Sequence, residues 1–294
     1  MNTRTRALIA IIIAGVLGGI GPIYSKVALT EFTPFQIVFV RFFLAFLILL
    51  PTGVITKKLH FDKSDLLYLT FISLLFAGNI LLFMVGLQYT TSIASQLLYL
   101  LTPAFVIVLS SFILKHRIEG KHVLSIVAGF SGGLLLVFRS DNAALSQSLG
   151  NMKGNIMILS AVICWSLYVT LSKKLSHKYS PLSLIVLVNF VTGVLALLLM
   201  IFKREDIVSA FSHAHMLPII NLLLLVVFNS ILFFFLYQWA IKLVKPFSVS
   251  LSSYIGTLVT ATLAIPLFGE KITAQLVISG LLIGISSYLT FKKR

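Results

Sequence analysis

Apolar runs of about twenty residues, each long enough to cross a bilayer, recur along the whole chain and are separated by short polar segments. The runs predict helices near residues 7–29, 34–55, 66–89, 92–114, 122–138, 154–175, 181–202, 216–241, 246–268 and 274–291. Pro34, Pro181, Pro218 and Pro246 fall near predicted helix starts, where a missing N–H costs nothing. Ten-residue segments of alternating polarity, the mark of a membrane barrel, are absent. The expected fold is therefore an all-α membrane protein of ten transmembrane helices, since hydrocarbon tolerates only backbone that bonds to itself.

Composition sharpens this picture. Of 294 residues, 59% are hydrophobic and 11% charged, well beyond the roughly 45–50% apolar content of soluble domains. A water-soluble fold is excluded, and the short loops leave no room for a separate catalytic domain. The formal charge of +15 would suggest nucleic acid in a soluble protein, but the basic residues lie between apolar runs, where they set orientation. With the N-terminus cytoplasmic, 16 of the 23 Lys and Arg residues fall on the inside and six on the outside, and Arg41 lies within helix 2. Both termini are thus expected in the cytoplasm, in a multi-pass protein of the inner membrane. Arg4 and Arg6 precede the first run as in a signal peptide, but no small-residue cleavage site follows, so a retained first helix is expected. The single cysteine, Cys164, lies inside an apolar run and reads as a small buried residue.

The two halves repeat. Ser25-Lys26 with Pro34 recurs as Ser172-Lys173 with Pro181, Ala14 matches Ala161 and Gly18 matches Trp165, all at an offset of 147. An offset of 154 then pairs Leu82 with Leu236, Leu97 with Leu251, Leu109 with Leu263, Arg117-Ile118 with Lys271-Ile272, and Ser125 with Ser279. The longer loop from Lys203 to His215 absorbs the difference. Residues 1–138 are read as the first repeat, 139–153 as an external linker and 154–294 as the second repeat. Five helices is an odd number, so the second copy must run through the membrane upside down. Inverted repeats of this kind build alternating-access transporters, with the cargo site near the midplane.

Several of these residues together resemble a known family. Gly18 with Lys26, Trp165-Ser166 with Lys173, Pro34 with Arg41, Pro103, and Phe268-Gly269-Glu270-Lys271 are similar to the EamA branch of the drug/metabolite transporter superfamily. The resemblance covers nearly the whole chain. It implies ten helices, cytoplasmic termini, a central cavity lined by helices 1–4 and 6–9, and peripheral helices 5 and 10. The chain departs from it in three places: His116 stands where the second repeat has Glu270, Val188 where the first has Arg41, and Thr257 where the first has Pro103. The family carries amino acids, nucleotide sugars, cations and drugs, so no one substrate follows.

Ser92, Ser95, Gln96, Tyr99 and Thr102 share one face of helix 4 by their spacing, and Ser250, Ser253 and Thr257, with Tyr254 beside them, answer on helix 9. Helix 1 offers Gly18, Gly21 and Ser25 where helix 6 offers Trp165, Tyr168 and Ser172. Such stripes are unfavourable against lipid and should face protein or water. Small and hydroxyl residues also serve ordinary helix packing. Asn79, Asn189, Asn229 and Gln238 fit interhelical hydrogen bonds as well as cargo contacts, and Tyr237 and Trp239 fit interfacial anchors. Arg41 either snorkels to the headgroups or forms a cation at the cavity mouth. Asn79, Gln96, Tyr99, Trp165, Tyr168 and Tyr254 are expected to converge on one substrate site, with Arg41 at its mouth.

No Asp or Glu is predicted at mid-helix, and His60, His116, His122, His177, His213 and His215 all fall in loops or at helix ends. No metal, no cofactor and no enzymatic carboxylate cluster is expected, and no nucleic-acid partner. The chain reads as a transporter of a small amphipathic metabolite, an amino acid or a drug-like compound, working by alternating access and outward. It would meet only its cargo and membrane lipid, as a monomer or homodimer. A lipid or lipid-linked headgroup flippase, or a non-transporting assembly partner, is the alternative on the same fold.

Overall fold

The computed structural model describes residues 3–113, 120–138 and 149–291, and they are helical, with no strand among them. Ten long rods follow in chain order. In the first half they are α1 (Thr3–Ala28), α2 (Pro34–Ile55), α3 (Leu66–Leu87), α4 (Ser92–Ile113) and α5 (Gly120–Phe138). In the second they are α6 (Met152–Leu175), α7 (Pro181–Phe202), α8 (Met216–Leu243), α9 (Pro246–Phe268) and α10 (Ala274–Phe291). Among the described residues, eight of them, α1–α4 and α6–α9, are by length and composition able to cross a membrane. A short helix, Ile207–His213, fills the long α7–α8 connection. Most of the expected linker 139–153, together with His116, Lys115 and Arg117, lies outside the described residues.

The helix starts show the repeat in local chemistry. Thr33 caps α2 and exchanges hydrogen bonds with Gln36 in a capping box, and Ser180, 147 positions on, caps α7 by accepting from the Ser183 N–H. Proline occupies the first helical position in both, pre-set for the helix and lacking the N–H that would be orphaned there.

Packing obeys a twofold that exchanges the halves. α2 lies along α7, and α5 along α10, each pair being its own image. α1 packs on α9 as α6 packs on α4, and α3 packs on α6 as α8 packs on α1. The twofold inverts the chain across the bundle, as two lysines demonstrate. Lys26 bonds to Glu270, just beyond the end of α9, whereas Lys173 donates to the carbonyls of Ile241 and Val244 at the end of α8. α9 separates those two points by roughly 35 Å at 1.5 Å per residue, so Lys26 and Lys173 mark opposite ends of the molecule.

Glycines set the closest crossings. A Cβ on Gly19 would stand 2.4 Å from the Gly256 carbonyl oxygen, and one on Gly154 would stand 2.9 Å from that of Gly86. Gly15-x-x-x-Gly19 on α1 thereby lets the α9 backbone touch, the small-residue route to association where lipid supplies no hydrophobic drive. α5 and α10 make their main contacts with each other, at the edge of the bundle.

Candidate functional site

Two helices interrupt themselves, α4 near its middle and α9 one turn from its start. Pro103 has no N–H to give the Tyr99 carbonyl, and the chain tightens there: the Leu100 and Leu101 N–H groups reach back to the Leu97 and Leu98 carbonyls. α4 therefore consists of Ser92–Tyr99 and Thr102–Ile113. α9 breaks between Pro246–Val249 and Ser252–Phe268. α8 carries a π-helical stretch, Leu225–Phe233, where a regular helix was expected. The wider π turn alters the side-chain register. Asn229 donates to the Leu17 carbonyl on α1, while its neighbour Ser230 meets Arg41 on α2. Interrupted helices line the binding sites of many secondary transporters.

Between these helices lies a cavity of about 110 Å³. Its wall comes from α1 (Ala14, Gly15, Gly18, Gly21, Pro22, Ser25), α2 (Arg41), α3 (Asn79, Ile80, Phe83) and α4 (Gln96, Tyr99, Thr102). The second half adds α6 (Trp165), α8 (Asn229, Phe233, Phe234, Tyr237) and α9 (Ser250, Ser252, Ser253, Gly256). No lining residue comes from α7, which lies along α2 instead. The volume has room for several waters or a compact solute.

Of the seven residues expected at the site, five line this cavity: Arg41, Asn79, Gln96, Tyr99 and Trp165. Asn79 donates to the Tyr99 hydroxyl and, at 2.9 Å, to the Ala161 carbonyl, tying α3 to α4 and α6. Thr257 donates to the Gln96 carbonyl at 3.2 Å and joins α9 to α4. Trp165 stands among Phe76, Tyr168, Phe233, Phe234 and Tyr237, with ring centroids 4.9–6.3 Å apart.

The other two lie elsewhere. Tyr168, one helical turn beyond Trp165, is fully buried behind the wall, its ring 5.0 Å from that of Phe76. Tyr254 packs in the cluster around Ile23, Leu97 and Leu98 rather than on the cavity. Tyr237, which also fitted an interfacial anchor, is buried and forms part of the wall. Phe83, Phe233 and Phe234 were not anticipated, because a phenylalanine in a lipid-facing run looks the same as one on a cavity.

Arg41 does not snorkel. Only 4% of it is exposed. Its Nε donates to the Ser230 hydroxyl at 3.3 Å, one Nη approaches the Met84 sulfur at 3.8 Å, and the guanidinium lies 5.1 Å from the Phe42 ring centre. A buried charge without a counter-charge costs several kcal/mol. Among the described residues no carboxylate is within ion-pair reach of it.

Just past Ser25, at the Lys26 end, three helices are tied together. Lys26 pairs with Glu270 at 2.9 Å, and the same carboxylate accepts from the Ser92 and Ile93 N–H groups at 2.7 and 2.9 Å. An acid at the N-terminus of α4 satisfies orphan donors and complements the helix dipole. Glu270 is thus 7% exposed and joins α1, α4 and the end of α9. Among the described residues, no three His, Cys, Asp or Glu side chains are grouped as a metal would need.

Comparison with known proteins agrees with this architecture. The EamA-like transporter family model matches twice, at residues 5–138 and 152–292. An "uncharacterized transporter" of Clostridium kluyveri is 28% identical over 88% of this chain and 83% of its own. The "uncharacterized inner membrane transporter YhbE" of Escherichia coli is 29% identical over 71% of this chain and 67% of its own. A solved crystal structure at 16% identity superposes with a TM-score of 0.70, covering 98% of this chain and 96% of that one, which speaks to the fold. With both halves matched by the same model and the paired helices related by one twofold, the chain belongs to the EamA-like transporter family.

Proposed function

We propose that this membrane transporter carries a small amphipathic metabolite through the central cavity by alternating access. One observation carries the reading: both repeats contribute to a single cavity whose wall joins an aromatic side, Trp165, Phe233 and Phe234, to hydrogen-bonding groups at Asn79, Gln96, Asn229 and Ser25. A mostly apolar cleft with a few placed polar groups is the usual form of a small-molecule site. The interrupted α4, α8 and α9 provide joints about which one half can rock on the other. An amino acid with an apolar side chain or a drug-like compound suits such a wall. Transport runs outward across the inner membrane, with both termini in the cytoplasm.

Purified Tyr99→Ala and Trp165→Ala proteins should still fold, with melting temperatures lowered because each truncation opens a gap in the packed wall. They should also lose the stabilisation that a binding compound gives in a thermal-shift screen of amino acids and amphipathic drugs. Ligand-induced shifts of parental size in both variants would remove the cavity from the account. Scrambling of labelled lipid by the reconstituted protein would favour the flippase alternative.

A further inference from the structure

We propose that Arg41 is the anion anchor of the cavity, and that the cargo is a monocarboxylate seated with its carboxylate on Arg41 and its apolar body against Trp165 and Phe233. The proposal rests on the cavity being the transport site and goes further by naming the chemical class of what binds there.

The guanidinium has five N–H donors in a planar fork. The structure occupies two of its nitrogens, one of them with a weak sulfur acceptor. All six described acids are engaged at helix ends: Glu31 with His215, Asp62 and Asp65 with Lys178, Glu205 with Thr33, Asp206 at the cap of the short helix, and Glu270 with Lys26. A buried fork facing a cavity with no internal carboxylate is the complement of an external one, which it can hold through two parallel hydrogen bonds.

Ser25 Oγ, Thr102 Oγ1 and Asn229 Oδ1 are among the polar atoms of wall residues that are buried without partners. Asn229 donates one of its two amide N–H groups to the Leu17 carbonyl, and its unpartnered oxygen is an acceptor. An ammonium or hydroxyl on the same cargo would satisfy it. Val188 stands at the repeat position of Arg41, so the charge exists in one half alone and gives the cargo a fixed polarity in the site. One cation suits one negative charge. Lys26, next to the wall residue Ser25, is neutralised by Glu270, which argues against phosphorylated or dicarboxylic cargo.

The test uses the full chain in detergent, with 3-phenylpropionate and its neutral isostere 3-phenylpropionamide as probes and calorimetry as the readout. The parent protein should bind the acid about tenfold or more tightly than the amide. Arg41→Gln should bring the two affinities together, and Arg41→Lys should restore part of the preference. The acid-to-amide ratio in the parent needs no variant, so it decides the matter even if Arg41→Gln fails to fold. Equal binding of both probes, lost in Trp165→Ala, would overturn the anchor and leave the cavity standing. A preference for the acid that survives in Arg41→Gln would also overturn it. Failure of both probes to bind, or binding unaffected by Trp165→Ala, would remove the cavity reading and the anchor together.

Discussion

Several decisive positions carry no side chain. Gly19 and Gly256 meet where α1 crosses α9, and any Cβ on Gly19 would collide with backbone that cannot rotate away. Gly19→Val should therefore cost about 2 kcal/mol or more by overpacking, seen as a clear drop in melting temperature. Gly284→Ala, where a Cβ meets nothing within 4 Å, should leave it unchanged. Equal melting of the two variants would refute the crossing. At this scale the sequence is partly legible. Gln96, Tyr99 and Thr102 share a face because helical spacing dictates it, and all three reach the cavity. Spacing also joined Tyr168 to Trp165, but it cannot tell which residue of an inward face meets the open space and which fills the layer behind. Arg41 was open to two readings because the distance to the headgroups permits snorkelling. Ser230 and Met84, which hold it inside, come from α8 and α3 and have no signature near it in the chain.

Helix number and the proline-led starts of α2, α7 and α9 were plain from apolar runs, since span length and fixed φ act locally. The π stretch of α8 was not, because a helix apolar on every side shows no periodicity for the extra residue to disturb. Nor was the linkage of Lys26, Glu270 and the α4 N-terminus, whose members lie 178 and 244 positions apart. The other end has its own cluster, in which Lys178 holds the Asp62 carboxyl below the usual range through a hydrogen bond and is itself pushed up. A depressed carboxylate stabilises above its ordinary titration range and loses that contribution as pH falls through the lowered value. Lys178 is exposed and Asp62 half-exposed, so their pairing counts for little, whereas Glu270 is buried. Glu270→Gln should cost about 1–3 kcal/mol, through the loss of charge-assisted hydrogen bonds. Flux should persist without an imposed pH gradient in parent and variant alike. Parental flux that requires the gradient, with the requirement abolished in Glu270→Gln, would make Glu270 a proton carrier and not a tie.

For the whole molecule, the constant offsets between halves anticipated the twofold, because inversion follows from an odd number of helices per repeat. Orientation is a matter of where the basic loops lie. In a Cys164→Ser background, a cysteine at exposed Ser209 should react with an impermeant thiol reagent added outside intact cells, and one at exposed His177 should not. The reverse pattern would invert the molecule. The central claim is that one cavity opens to each side in turn. Thr102 lies on its wall, 1% exposed. A single cysteine at Thr102 in the same background is the direct probe, with impermeant reagent applied to right-side-out and to inside-out vesicles. Alternating access predicts labelling from both sides, each exposure blocking the other. Labelling from neither side, or from one side alone however long the exposure, would contradict it.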